Sequence, residues 1–228
     1  MVRSSPLQVA YRETIQRKAE ATGSYRKQTG GHGHFAIARL RVEPAERGAG
    51  IVFKSIVSPL EVPDGYVRAI EVGAREALGK GILAGYPATD LKLTLVSGRY
   101  HEVDSNSMDF RIAGSMAVRQ AFRQANPALL EPVMRADITV GEEYLGMVIA
   151  DFGRRRGSVG EFQARGNQRN FIGEVPLAEA RGYATDLRDM TQGRGSFTLE
   201  FIKYELVPKK IATQIIEHRI AEGKIPLR

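Results

Sequence analysis

Between residues 36 and 42 apolar and polar positions alternate. Ala36, Ala38, Leu40 and Val42 share one face, with Arg39 and Arg41 on the other. Leu91, Leu93 and Leu95 against Lys92 and Thr94 repeat the pattern, and a period of two is that of a strand with one buried face. Further strands are expected at Val9 to Arg17 and at Ile51 to Val57. After "VPDG" the period becomes helical: Val67, Ile70, Ala74 and Leu78 fall on one face, and Asp64 is placed to cap the N-terminus. A second helix starts near Ser105, with Met108, Ile112 and Met116 joining Ala113, Ala117 and Ala121 in a broad apolar stripe. Asn126-Pro127 ends it, because a proline disfavours the helical conformation in the residue before it.

The pattern restarts after "NPALLEP", which divides the chain into residues 1–128 and 129–208. Met134, Ala136, Ile138 and Val140 alternate with Arg135, Asp137 and Thr139 as in a strand, and "EEYLGMVIADFGRRRG" reads as a helix closed by glycine. Short strands are expected near Ser158 to Ala164 and Arg169 to Val175, then a helix from Leu177 to about Leu187 and a strand from Ser196 to Glu205. That order, βαββαβ, is the ferredoxin-like motif. A last helix within residues 209–222 pairs Ile211 with Ile215 and Ile216 with Ile220 at i,i+4, with Gly223 at its end. Its apolar face needs a partner, most simply the first domain.

Hydrophobic residues at 43% and charged residues at 26% place the 228-residue chain in the ordinary globular class. No apolar run approaches the ~20 residues that span a bilayer, and "MVRSSPLQVA" lacks the apolar core of a secretion signal, so a cytoplasmic protein with no membrane partner is expected. With no cysteine, disulfides and thiolate metal sites are excluded. A net charge of +7 and a pI near 9.7 point towards an anionic partner. The excess sits in the first domain, with 18 basic and 12 acidic residues through Ala128 against 15 and 14 in the remainder.

Candidate chemistry concentrates in "QTGGHGHFAI", residues 28 to 37, where Gly30, Gly31 and Gly33 surround His32 and precede His34. The stretch suits a phosphate cradle, a metal site, or a finger that enters a crevice in a larger partner. No G-x-x-x-x-G-K-[ST] occurs, so no nucleotide is held by a P-loop. "GHGHFA" matches G-x-G-x-x-A, but an alternating strand follows it where a dinucleotide site needs a helix. His32 and His34, with His101, Glu102 and Asp104 from "SGRYHEVD", have the ligand types for zinc and would make a hydrolase, though no H-E-x-x-H spacing accompanies them. A G-x-S-x-G nucleophile elbow is missing as well.

"VAYRETI", "QTGGHGHF", "LAGYPATDLKLTL", "YHEVDSNSMDFRIAGSMA", "LLEPVMRADI", "VPLAEARGYATDLRDMTQGRGSF" and "EFIKYELVP" follow one another in the order and spacing of the C-terminal half of elongation factor G, the ribosomal translocase family. The chain resembles that family from about Gln8 to the last helix. The resemblance implies an α+β protein of two domains. Residues 1–128, with the terminal helix 209–222 packing back on them, would form the family's fourth domain, which has a left-handed βαβ crossover shared with a ribosomal protein. Residues 129–208 would form its ferredoxin-like fifth domain.

The same resemblance implies a monomeric ribosome-binding module that catalyses nothing alone. It needs no cofactor, since GTP binds a preceding domain of the family. The tip of the fourth domain would enter the small-subunit decoding region as transfer RNA and messenger RNA move, through Gln28, Gly30, Gly31, His32, Gly33, His34, Tyr100, His101 and Glu102. Arg154 and Arg155 match an arginine pair on the module that meets ribosomal RNA of the large subunit. Beside that reading stands a local one, in which basic residues at a helix end offset its dipole and cap its carbonyls. The family's usual "GGRGQ" is here "GGHGH", an imidazole in place of a guanidinium, which lowers phosphate affinity. Alternatives are therefore a divergent paralogue acting in ribosome protection, a free-standing regulator, or the histidine-metal hydrolase.

Overall fold

A computed structural model describes residues 9–28 and 33–225, apart from the side chain of Arg165. The chain divides into two compact units. Among the described residues, one runs from Arg12 to Leu130 and takes in 207–225; the other holds Glu131–Leu206 with 9–11.

The first unit is built on a four-stranded sheet in the order β2-β3-β5-β4, made of β2 (Ala19–Lys27), β3 (His34–Pro44), β4 (Ile51–Ser55) and β5 (Leu91–Arg99). β2, β3 and β5 are antiparallel, whereas β4 runs parallel to β5 and reaches it through α1 (Asp64–Gly79). Ala36, Ala38, Leu40 and Val42 are buried with Leu91, Leu93 and Leu95 under α1 and α2 (Ser107–Gln124), as the alternation predicts. The strand at Val9 to Arg17 is shorter than expected: β1 covers Arg12–Ile15 and pairs with the first residues of β6 (Pro127–Gly141). β2 carries no alternating signal because its inward positions are Ala21, Gly23 and Tyr25. A Cβ on Gly23 would lie 1.9 Å from the Ala113 carbonyl oxygen, so α2 rests directly on the strand backbone.

α2 buries the alanine half of its expected stripe and not the methionine half. Phe110, Ala113, Ala117, Val118, Ala121 and Phe122 are buried, while Met108 and Met116 lie on the exposed side. Each buried phenylalanine contributes about 1.5–3 kcal/mol of transfer free energy. Asp64 does not cap α1: Pro63, in extended conformation, is the N-cap and makes no side-chain cap bond, so Asp64 only adds a negative charge to the first turn. The fully buried Glu13 of β1 accepts backbone hydrogen bonds from Ile82 (2.6 Å), Leu83 (2.8 Å), Ala84 (2.7 Å) and Tyr86 (3.0 Å). The terminal helix α5 (Lys209–Ala221) packs on this unit. Arg219 donates from Nε to the Ala84 carbonyl (2.9 Å), and its guanidinium lies 4.6 Å from the centre of the Tyr86 ring.

The second unit is the ferredoxin-like βαββαβ module: β6, α3 (Leu145–Arg154), β7 (Ser158–Arg165), β8 (Gln168–Pro176), α4 (Tyr183–Met190) and β9 (Ser196–Leu206). β6 lies between β8 and β9, and β7 pairs with β8 at the edge. Ile138, Val140, Val148, Phe152, Phe171, Tyr183 and Leu187 form its core. A 3-10 turn at Glu142–Tyr144 precedes α3. α4 starts six residues later than the expected Leu177, because residues 177–182 make turns and Gly182 takes a φ of +73°.

Candidate functional site

β2 ends, β3 begins and β5 ends at the same edge of the first sheet, so Gln28, Gly33 and the 100–106 loop lie at that edge together. Gly30, Gly31 and His32 lie outside the described residues; the exposed Gln28 and the half-buried Gly33 flank them. Gly33 donates its backbone N–H to Asp104 Oδ1 (3.0 Å), and Phe35 donates to the Asp104 carbonyl (2.8 Å). Ser105 Oγ donates to the Phe35 carbonyl (2.5 Å) and accepts from the His101 N–H (2.8 Å). Three of these bonds stitch the start of β3 to the 100–106 loop, and the fourth braces that loop internally.

The two histidines of this edge are used differently. His34 stands opposite Lys27 on the helix side of the sheet, and its Nδ1 lies 2.8 Å from Oδ1 of Asp109, a carboxylate only 2% exposed. A carboxylate only accepts, so Nδ1 carries the proton and the ring fastens β3 to the first turn of α2. Tyr25 meets it edge-on at 5.9 Å. His101 is anchored through Nδ1, which faces the N–H groups of Val103 (3.4 Å) and Asp104 (3.3 Å) and the Asp104 carboxylate (3.3 Å), and its side chain is 56% exposed. Glu102 and Val103 are exposed beside it. Tyr100 rests against Tyr66 (6.1 Å), which stacks on Phe110 (4.5 Å) and donates its hydroxyl to the Ser105 carbonyl (3.0 Å).

Ser105, Asn106 and Asp109, which help hold this edge, were not among the site residues expected, and Asp104 was considered only as a metal ligand. Their signal is in "DSNSMD": Asn106 is the N-cap of α2, accepting from the Asp109 N–H (3.1 Å), and an acid three residues after an Asn is a helix-start signature. Among the described residues no three His, Asp or Glu side chains are grouped to hold a metal ion. What the edge offers is exposed donors, acceptors and ring faces on a braced backbone, which suits stacking and hydrogen bonding to nucleotides.

The arginine run has a different setting. Arg154 is 74% exposed, with Asp151 at 3.3 Å. Arg155, 19% exposed, donates from Nε to Asp151 (2.7 Å), pairs with Asp186, donates to the Glu179 carbonyl (3.2 Å) and lies over the Tyr183 ring at 5.0 Å. Burial pulls its pKa down, but the two carboxylate hydrogen bonds outweigh that and raise it. Arg156 pairs with both oxygens of buried Glu131, whose hydrogen bonds raise its pKa in turn. It also closes α3. At φ +62° it is the left-handed residue after the helix, donating to the Gly153 carbonyl (3.0 Å), while Gly157 donates to the Phe152 carbonyl (2.9 Å). Glycine was expected in the left-handed place. Gly157 is needed one position on, because a Cβ there would lie 2.4 Å from the Phe152 ring.

Residues 7–126 match the family described as elongation factor G, domain IV, and residues 128–215 match elongation factor G C-terminus. A crystal structure of a protein from Thermus thermophilus superimposes with a TM-score of 0.85 at 41% identity, over 96% of this chain and 33% of that one. The chain therefore spans about a third of the length of that relative. No helix among the described residues is long and apolar enough to cross a membrane.

Proposed function

Because the chain belongs to the elongation factor G family through its domain IV and C-terminal regions, we propose that it is the ribosome-engaging part of a translocation factor of that type. The loop pair of the first unit enters the small-subunit decoding region and contacts transfer and messenger RNA. The second unit meets ribosomal RNA of the large subunit. Neither unit breaks a bond of its own; GTP belongs to a domain that precedes these two in the family. The protein acts in the cytoplasm, as one copy on each ribosome.

One observation carries the reading at residue level: Gly33 and Phe35 are bonded to Asp104 and Ser105, with His101 exposed beside them. A loop end braced in this way keeps its shape when pushed against RNA. Intact ribosomes titrated with the chain should release it steeply as salt rises, with log affinity falling against log salt by about 0.7–0.9 for each phosphate contact. Salt-independent binding, or none, would count against the proposal. Translocation itself is tested by exchanging these residues for the matching region of an intact elongation factor G. The chimera should move transfer RNA, and His101→Ala should slow it about tenfold, the loss of about 1.4 kcal/mol. An unchanged rate would remove the loop pair from the mechanism.

A further inference from the structure

The outer face of the first sheet, opposite α1 and α2, carries a band of cations, half of which the fold does not use. Strand register places Arg26, Arg39, Arg41, Lys54, Lys92 and Arg99 on it, against Glu20 and Glu43. They stand in five successive rows across the strands, and each row contains at least one. Rows repeat every ~6.8 Å along a strand, so the band is about 27 Å long. Glu20 holds Arg39 (2.8 Å) and Arg41 (2.5 Å). Lys54, Lys92 and Arg99 are exposed and reach no carboxylate among the described residues; Arg26 only overlies the Phe35 ring, at 5.2 Å. A surface that merely solubilises mixes its signs. The second unit does so: Lys203 of β9 is paired with both Glu174 (2.7 Å) and Glu205 (2.9 Å).

The band also has a direction. Its last row, Arg26 opposite Phe35, lies at the edge where Phe35 is bonded to Asp104 and its ring meets that of His101 at 6.3 Å. Apolar Phe35 and Ile37 stand among the cations at this end. We infer that the outer sheet face is a second RNA site, on which the sugar-phosphate backbone of an RNA engaged at the loop pair continues along the strands. The choice of RNA rests on the ribosome reading above; the charge band itself does not. Exposed cations at two-residue spacing meet phosphates with no rearrangement of the fold, and the rings at one end offer a stacking surface.

The test neutralises the three unpaired cations in the full chain, as Lys54→Gln, Lys92→Gln and Arg99→Gln together, and measures binding to intact ribosomes and to a short RNA duplex over a salt series. Binding at 0.1 M salt should weaken at least tenfold on both, and the salt slope should become shallower by about 2–3. The thermal midpoint should stay unchanged, since none of the three holds another residue. An unchanged slope on both probes overturns the inference. If the wild-type chain ignores ribosomes yet binds the duplex through these three residues, the ribosome reading fails and the RNA site stands. A photo-crosslinker at Thr22, opposite Arg39 on the same face, should capture RNA; capture of ribosomal protein alone would overturn the choice of partner.

Discussion

The arginine turn at the end of α3 and the basic face of the first sheet both advertise affinity for phosphate, yet their cations have opposite partners. In the turn, Arg155 is committed to Asp151, Asp186 and the Tyr183 ring, and Arg156 to Glu131. On the sheet, Lys54, Lys92 and Arg99 point at solvent with no carboxylate among the described residues to hold them. A run of like charges in sequence therefore says little about binding until the register shows what lies opposite. In the turn Glu131 and Asp186 come from 25 and 31 residues away, beyond any local pattern, and Asp151 alone of the three is an i,i+4 neighbour.

The comparison breaks most easily at Arg156. Its removal leaves Glu131, almost wholly buried, as an uncompensated charge, and breaking such a pair from one side costs about 3–5 kcal/mol. Arg156→Ala should lower the stability of the second unit by that amount in urea unfolding. Arg156→Gly should be milder by about 1 kcal/mol, because glycine accepts the φ of +62° that alanine resists. A loss below about 1 kcal/mol for the alanine variant would mean that the turn's cations are free for other use.

Tyr183 sharpens the same contrast from the other side. Burial, aided by Asp151 and opposed by Arg155, pushes its phenol up to about 12, and its hydroxyl has no hydrogen-bond partner among the described residues. The unfolded chain loses this proton near pH 10 while the folded one keeps it. The stability attached to the neutral phenol is thus complete below pH 10 and lost as pH rises towards 12, by about 2–3 kcal/mol. Tyr183→Phe should match the wild type at neutral pH and unfold less readily at pH 11 to 12. Parallel pH profiles for the two proteins would show the ring to be better solvated than its surroundings indicate.

Much of the architecture was legible because burial follows period: the alternating strands β3, β5 and β6 and the ferredoxin-like order of the second unit could be read directly. What escaped was set by contact between elements. β2 has no apolar face to read, since α2 touches its backbone at Gly23, and α2 meets it through Ala113 and Ala117 while Met108 and Met116 stay exposed. Four amide donors from residues 82 to 86 give Glu13 a buried home that no spacing rule foretells. At the candidate site, Gly33, His34 and His101 singled out two segments that the structure bonds together. They could not say which ring would be structural, because that depends on Asp109, 75 residues beyond His34.

The two histidines give the smallest and most discriminating effects. His34→Ala deprives buried Asp109 of its donor, and an unsatisfied buried carboxylate costs about 1–3 kcal/mol. His101→Ala removes an exposed ring whose side-chain hydrogen bonds among the described residues are long and local and whose one ring contact is with partly exposed Phe35, so stability should stay within about 0.5 kcal/mol of wild type. Ribosome binding should reverse the order. At a temperature where both variants remain folded, His101→Ala should weaken it about threefold to tenfold, in keeping with ~1 kcal/mol for a lost stacking contact, and His34→Ala should leave it within twofold. If instead His34→Ala were the weaker binder at full folding, its ring would face RNA and not α2. The division between a clamping and a contacting histidine at this edge would then have to be redrawn.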